Sequence, residues 1–168
     1  MGNTYPYTID NWTADILAAQ ALGIDGFALN LGLDSWQPAR IADAYSAAAG
    51  VAARNHSAKP FYLFLSFDMT CISDVSAIVN YIRTYHGHPC QFVYQGKDFV
   101  STFSGEGVFL GQSNLNDAWQ IGVKNVLAAE GILIYFVPAW SALDPQTVFT
   151  NYPVLDGLFC WTAWYEIQ

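Results

Sequence analysis

The chain has 168 residues, the size of one domain, with 53% hydrophobic, 16% aromatic and only 12% charged residues, which excludes a disordered chain and implies a sizeable core. A formal charge of -8 with six Lys and Arg excludes the basic patch that nucleic acid requires. Every apolar run is broken by turn residues well short of the roughly 20 residues a membrane span needs.

In chain order, short apolar runs alternate with helical patterns, the arrangement of a parallel α/β sheet. Met1 to Tyr7 reads as the end of a first strand. Asp10 or Asn11 opens a helix that Gly23 closes, and Asp25 to Asn30 reads as a strand. Gln37-Pro38 starts the next helix, with proline in its first turn. Phe61 to Asp68 is a strand, Ser73-Asp74 caps a helix that ends at Gly87, and Phe99 to Phe103 is a strand. A helix from Asn114 or Asn116 to Gly131, a strand from Ile132 to Val137, a short helix from Asp144-Pro145 and a strand from Gly157 to Trp161 complete the series. The near-continuous apolarity of these runs fits strands buried on both faces. Gly105-Glu106-Gly107 lacks the third glycine and acidic partner of a dinucleotide fingerprint. A partial (β/α)8 TIM barrel, about the first six βα units and lacking the last two, is therefore expected within one domain, 1–168.

Barrel enzymes carry their chemistry at the carboxyl ends of the strands. There stand Asn3, Tyr5 and Tyr7, then Asn30, Asp68, Ser104 and Glu106, Trp140, and Trp161 and Trp164. Carboxylates, amides and indoles suit a sugar, whose rings stack on aromatic faces and whose hydroxyls need polar partners. Asp68 ends a very apolar run, so its carboxylate either faces a cleft or caps backbone around Thr70 and Cys71. Glu106 between two glycines suits a ligand approach or a surface turn. The tryptophans are platforms or core, and Trp161 and Trp164 cannot both line one strand face. His56, His86 and His88 fall at the opposite end of the barrel, in loops that solvate them, so no metal site is expected. No Gly-x-Ser-x-Gly supports a serine nucleophile. Cys71, Cys90 and Cys160 are an odd set, and a helix of about 17 Å separates Cys71 from Cys90 too far for a bridge. Asn11-Trp12-Thr13 and Asn55-His56-Ser57 are N-glycosylation triplets.

Six segments together resemble glycoside hydrolase family 71, the fungal α-1,3-glucanases or mutanases, over essentially the whole chain. They are Gly2 to Tyr7, Gly23 to Asn30, Asp34 to Gln37, Leu65 to Met69, Val100 to Glu106 and Asp156 to Trp161. The resemblance implies a secreted (β/α)8 enzyme hydrolysing α-1,3-glucosidic bonds of fungal cell-wall glucan with inversion and without cofactor or metal. Inversion needs two carboxyl groups about 6.5 to 9.5 Å apart. The family's acid and base are expected beyond Gln168, with Asp68 and Glu106 the catalytic candidates inside the chain. Tyr5, Tyr7, Asn30, Asp68, Glu106, Trp140, Trp161 and Trp164 are expected to contact the polysaccharide. The chain is accordingly expected to be a truncated piece whose activity alone is in doubt. The alternatives are a non-catalytic α-glucan-binding degenerate barrel, or a barrel completed by a second chain, which would cover open sheet edges.

Overall fold

The computed structural model describes residues 2–54 and 59–161. Helices and strands alternate as follows: α1 (Ile9–Ala21), β1 (Gly26–Leu31), α2 (Gln37–Arg54), β2 (Tyr62–Asp68), α3 (Val75–Tyr85), β3 (Val93–Tyr94), β4 (Lys97–Phe103), α4 (Leu115–Trp119), α5 (Asn125–Ala128), β5 (Ile134–Phe136) and α6 (Val148–Asn151). Strands β1, β2, β4 and β5 pair in parallel in that order, and β3 turns back antiparallel on β4. The result is an α/β fold whose described part holds four parallel strands.

Local signals explain most helix limits. Thr8 caps α1 through a reciprocal box with Asn11, whose own side chain takes the Thr8 amide. Asp74 caps α3 and Asn114 caps α4. Gly23, Gly87 and Gly131 follow the helices with φ of 78°, 74° and 81°. The pattern expected as one helix from Asn114 to Gly131 is interrupted by a π turn at Gln120–Lys124, where one extra residue widens the coil between α4 and α5.

Alternation along the strands makes the two faces of the sheet unequal. Leu29, Leu31, Leu63, Leu65, Phe67, Val100, Ile134 and Phe136 are buried in one cluster with Ile41, Ala44 and Ala48 of α2 and Ile78, Val79 and Ile82 of α3. Trp119 stacks on Phe136 at 3.8 Å, locking α4 to β5. The opposite face carries half-buried rings: Phe64 touches Phe99 at 4.8 Å, Phe92 and Phe99 meet at 5.2 Å, and Tyr94 meets Tyr135 at 4.8 Å.

Two strand expectations are corrected. Gly2–Thr4 is a turn of 3-10 helix rather than the end of a strand, and Tyr7 leads directly into α1. Gly157 to Trp161 forms no strand and no ladder beyond β5. In β5 the Tyr135 and Val137 side belongs to β4, where the Val137 amide donates to Val100 O at 2.9 Å. A further strand would have to use the amides of Phe136 and residue 138. Phe136 N donates instead to the Asp156 carboxylate at 2.8 Å, and Pro138 has no N–H to give. Only two backbone bonds, Asp156 N to Phe136 O and Phe159 N to Pro138 O, tie the segment to β5.

The histidines are not simply solvated. His86 Nδ1 lies 2.7 Å from Oδ2 of Asp98, whose residue is 4% exposed. His88 Nδ1 accepts the Cys90 amide at 3.1 Å, and its ring sits edge-on to Tyr45. Both do lie on the amino-terminal side of the sheet, since His86 caps the end of α3 and Asp98 opens β4. His56 and the Asn55 triplet lie outside the described residues. Cys71 is an exposed thiol after β2, whereas Cys90 is buried. Among the described residues no helix is long and apolar enough to cross a membrane.

Candidate functional site

At the carboxyl ends of β1 and β2 lies a cleft of about 340 Å³, lined by Asn30, Gly32, Leu33, Asp34, Gln37, Asp68 and Cys71. Register explains why two strand-end residues meet there. Asn30 pairs with Ser66 across β1 and β2, and Asn30 Nδ2 reaches Ser66 O at 3.3 Å and Ser66 Oγ at 3.4 Å. Asp68, two residues beyond Ser66, leaves its strand on the same face.

Asp68 fulfils both readings the sequence allows. Its Oδ1 accepts the Thr70 amide at 3.1 Å and the Thr70 hydroxyl at 2.5 Å, an Asx turn that fixes the side chain. Its Oδ2 accepts no hydrogen bond among the described residues, and the residue lines the cleft.

Glu106 is differently placed. Ser104 Oγ donates to Oε2 at 3.1 Å and the Ala142 amide donates to Oε1 at 3.0 Å, so this carboxylate joins the loop after β4 to the loop after β5. Ser104 and Gly105 hold φ of 57° and 114° to make the turn. Glu106 does not line the cleft that Asp68 lines, and each has a fixed partner set.

The aromatic candidates divide by exposure. Tyr5 is 65% exposed and meets Trp36 edge-on at 5.4 Å, beside the loop that walls the cleft. Tyr7 donates to Asp15 Oδ2 at 2.9 Å and packs against Trp12; this bond to a carboxylate holds its phenol above the ordinary tyrosine value. Trp140 is 1% exposed, enclosed by Phe136 and Tyr152, so its faces are committed to the core. Trp161 stands edge-on to Phe103 and Phe159. Trp164 lies outside the described residues.

Asp34, Gln37 and Cys71 also line the cleft, although reading strand ends alone does not select them. The first two follow β1 closely enough that a search extended through the whole βα loop would have included them.

The description Glycosyl hydrolase family 71 belongs to the family model that matches residues 1–168. The chain is 48% identical over 98% of its length to the glucan endo-1,3-alpha-glucosidase agn1 of Schizosaccharomyces pombe. It is 39% identical over 98% of its length to an ascus wall endo-1,3-alpha-glucanase of the same yeast. A mutanase of Penicillium rubens is 34% identical, again over 98% of the chain. The chain spans 37%, 37% and 33% of the lengths of these three relatives. With its whole length matched by the family model, the chain belongs to glycosyl hydrolase family 71.

Proposed function

We propose that this chain forms one side of the active site of a secreted α-1,3-glucanase, and that its cleft binds glucosyl units of the polysaccharide. The observation that carries the reading is the meeting of Asn30, Asp34 and Asp68 in one cleft at the carboxyl ends of parallel strands, within a chain of this family. An amide and two carboxylates supply the donors and acceptors that sugar hydroxyls require. Tyr5 stands beside them as an exposed ring on which a pyranose can lie. Asn30, Asp68 and Tyr5 contact substrate, while Glu106, held at both oxygens, shapes the neighbouring loops. The acid and base of an inverting hydrolysis lie in sequence beyond Gln168.

Reducing sugar released from insoluble α-1,3-glucan tests this. The chain extended through its downstream sequence is expected to release sugar, and the present chain is not. Asp68→Asn in the extended protein is expected to lower kcat/KM about tenfold, the loss of a hydrogen bond to a charged group. Hydrolysis by the present chain would overturn the assignment of acid and base.

A second reading, glucan binding without hydrolysis, is favoured by one observation: Glu106 has both oxygens engaged and Asp68 has one, which leaves no free pair of carboxyl groups among these two. Retention on glucan with no sugar released by the extended chain would select it.

A further inference from the structure

The loop after β1 is held by a single side chain. Gln37 is 5% exposed, and both ends of its amide are used: Oε1 accepts the Gly32 amide at 2.6 Å, and Nε2 donates to Asp34 Oδ2 at 2.9 Å. Its backbone amide returns to Asp34 O at 3.0 Å, closing the turn. The backbone at Gly32 also packs closely on the segment after β2, for a Cβ there would lie 3.1 Å from Cys71 Sγ and 3.7 Å from Gln37 Nε2. The loop is therefore bonded to Gln37 and packed against the segment following Asp68. Asp34 is itself exposed, and without the Nε2 donor its carboxylate would turn freely into solvent.

We infer that Gln37 is a positioning residue of the cleft, which aims the Asp34 carboxylate across it toward Asp68 to accept a hydrogen bond from a sugar hydroxyl. This rests on the reading of the cleft as a glucan site. One Asp34 oxygen is spent on Gln37, and the other remains for the ligand. A carboxylate aimed in this way contributes to binding, so its loss should fall on affinity.

The test is a double-mutant cycle on the chain itself, titrating a soluble α-1,3-linked glucose oligosaccharide by calorimetry. Asp34→Asn and Gln37→Leu are each expected to weaken binding about tenfold, the range for one hydrogen bond to a charged group. Because Gln37 acts through Asp34, the double variant should bind no worse than either single one. Gln37→Glu keeps the side-chain length; it should bind poorly near pH 7 and recover as pH falls, because burial and the adjacent Asp34 charge favour the protonated carboxyl, which again donates to Asp34. Thermal unfolding of each variant, with retained cooperativity, separates lost aim from lost fold. Additive losses, or unaltered affinity in Gln37→Leu, overturn the inference alone. Absence of binding in the unaltered chain overturns the reading of the cleft and the inference with it.

Discussion

Asp98 shows how one residue couples protonation to folding. It is nearly inaccessible, at the start of β4, and faces His86. Burial pushes its carboxyl above the usual aspartate range, and the hydrogen bond and charge of His86 oppose this without cancelling it. Tyr45, Cys90 and Tyr85 lie in the same region, and Tyr85, stacked on Tyr45 at 4.1 Å, is pushed up to about 12 by burial, with the charge of Tyr81 adding to this. A carboxyl raised in the folded state binds its proton more tightly there than in the unfolded chain. Its stabilising contribution is thus fully present below about pH 3.9 and is lost as pH rises through the raised value. Melting temperature followed from pH 3.5 to 7 should show the unaltered chain losing ground to Asp98→Asn as pH rises; parallel curves would refute this. Gly105 makes a second prediction at this scale. Its φ of 114° suits glycine alone, and a Cβ would come within 2.9 Å of Met69 Cβ and Cγ. Gly105→Ala should cost roughly 1 to 3 kcal/mol in denaturant titration. Position at strand ends made Asn30 and Asp68 legible in the sequence. Gln37 was not legible, because its role depends on which two groups its amide meets. Trp140 was misleading, since burial rather than position decides whether an indole face is available.

Helix limits were legible because their causes are local: Thr8, Asp74 and Asn114 cap the amides just after them. The segment 157–161 was not, because an apolar run looks the same whether or not its neighbour offers amides. Asp156 is the deciding residue. Burial raises its carboxyl, but Lys124 at 2.7 Å, the Phe136 amide and the charges of Lys124 and Lys97 together outweigh this, and the carboxyl lies below the usual range. Stability from Asp156 is therefore present above the unfolded value near pH 3.9 and declines as pH falls through the lower folded one. Asp156→Ala leaves the Phe136 amide and Lys124 without this acceptor. It should cost about 2 kcal/mol and speed hydrogen exchange at Phe136 selectively. Uniform exchange across β5 would mean that the carboxylate serves only as a charge.

Among the described residues the molecule is one-sided. Helices cover one face of the sheet with a continuous core, and the other presents Phe64, Phe92, Phe99, Tyr94 and Tyr135. Rings only half covered retain a drive toward contact with other apolar surface. Sedimentation equilibrium of the chain should give a mass above 18.5 kDa that rises with concentration, and Phe64→Asn should reduce it. A concentration-independent 18.5 kDa would show that the rings satisfy one another. The parallel α/β character was legible from alternating patterns, whereas among the described residues the parallel strands are fewer than expected, since Gly2–Thr4 coils and residues 157–161 form no ladder, and the short antiparallel β3 was not foreseen.

The Asp156 clasp has a consequence for how this sheet can meet other chains. With the Phe136 amide occupied and Pro138 unable to donate, the β5 border offers an incoming peptide almost nothing to zip onto. Among the described residues the β1 border, Gly26–Leu31, pairs with β2 on one side only, and it carries no proline. Strand exchange or fibril seeding would therefore be directional, growing outward from β1 and stopping at β5.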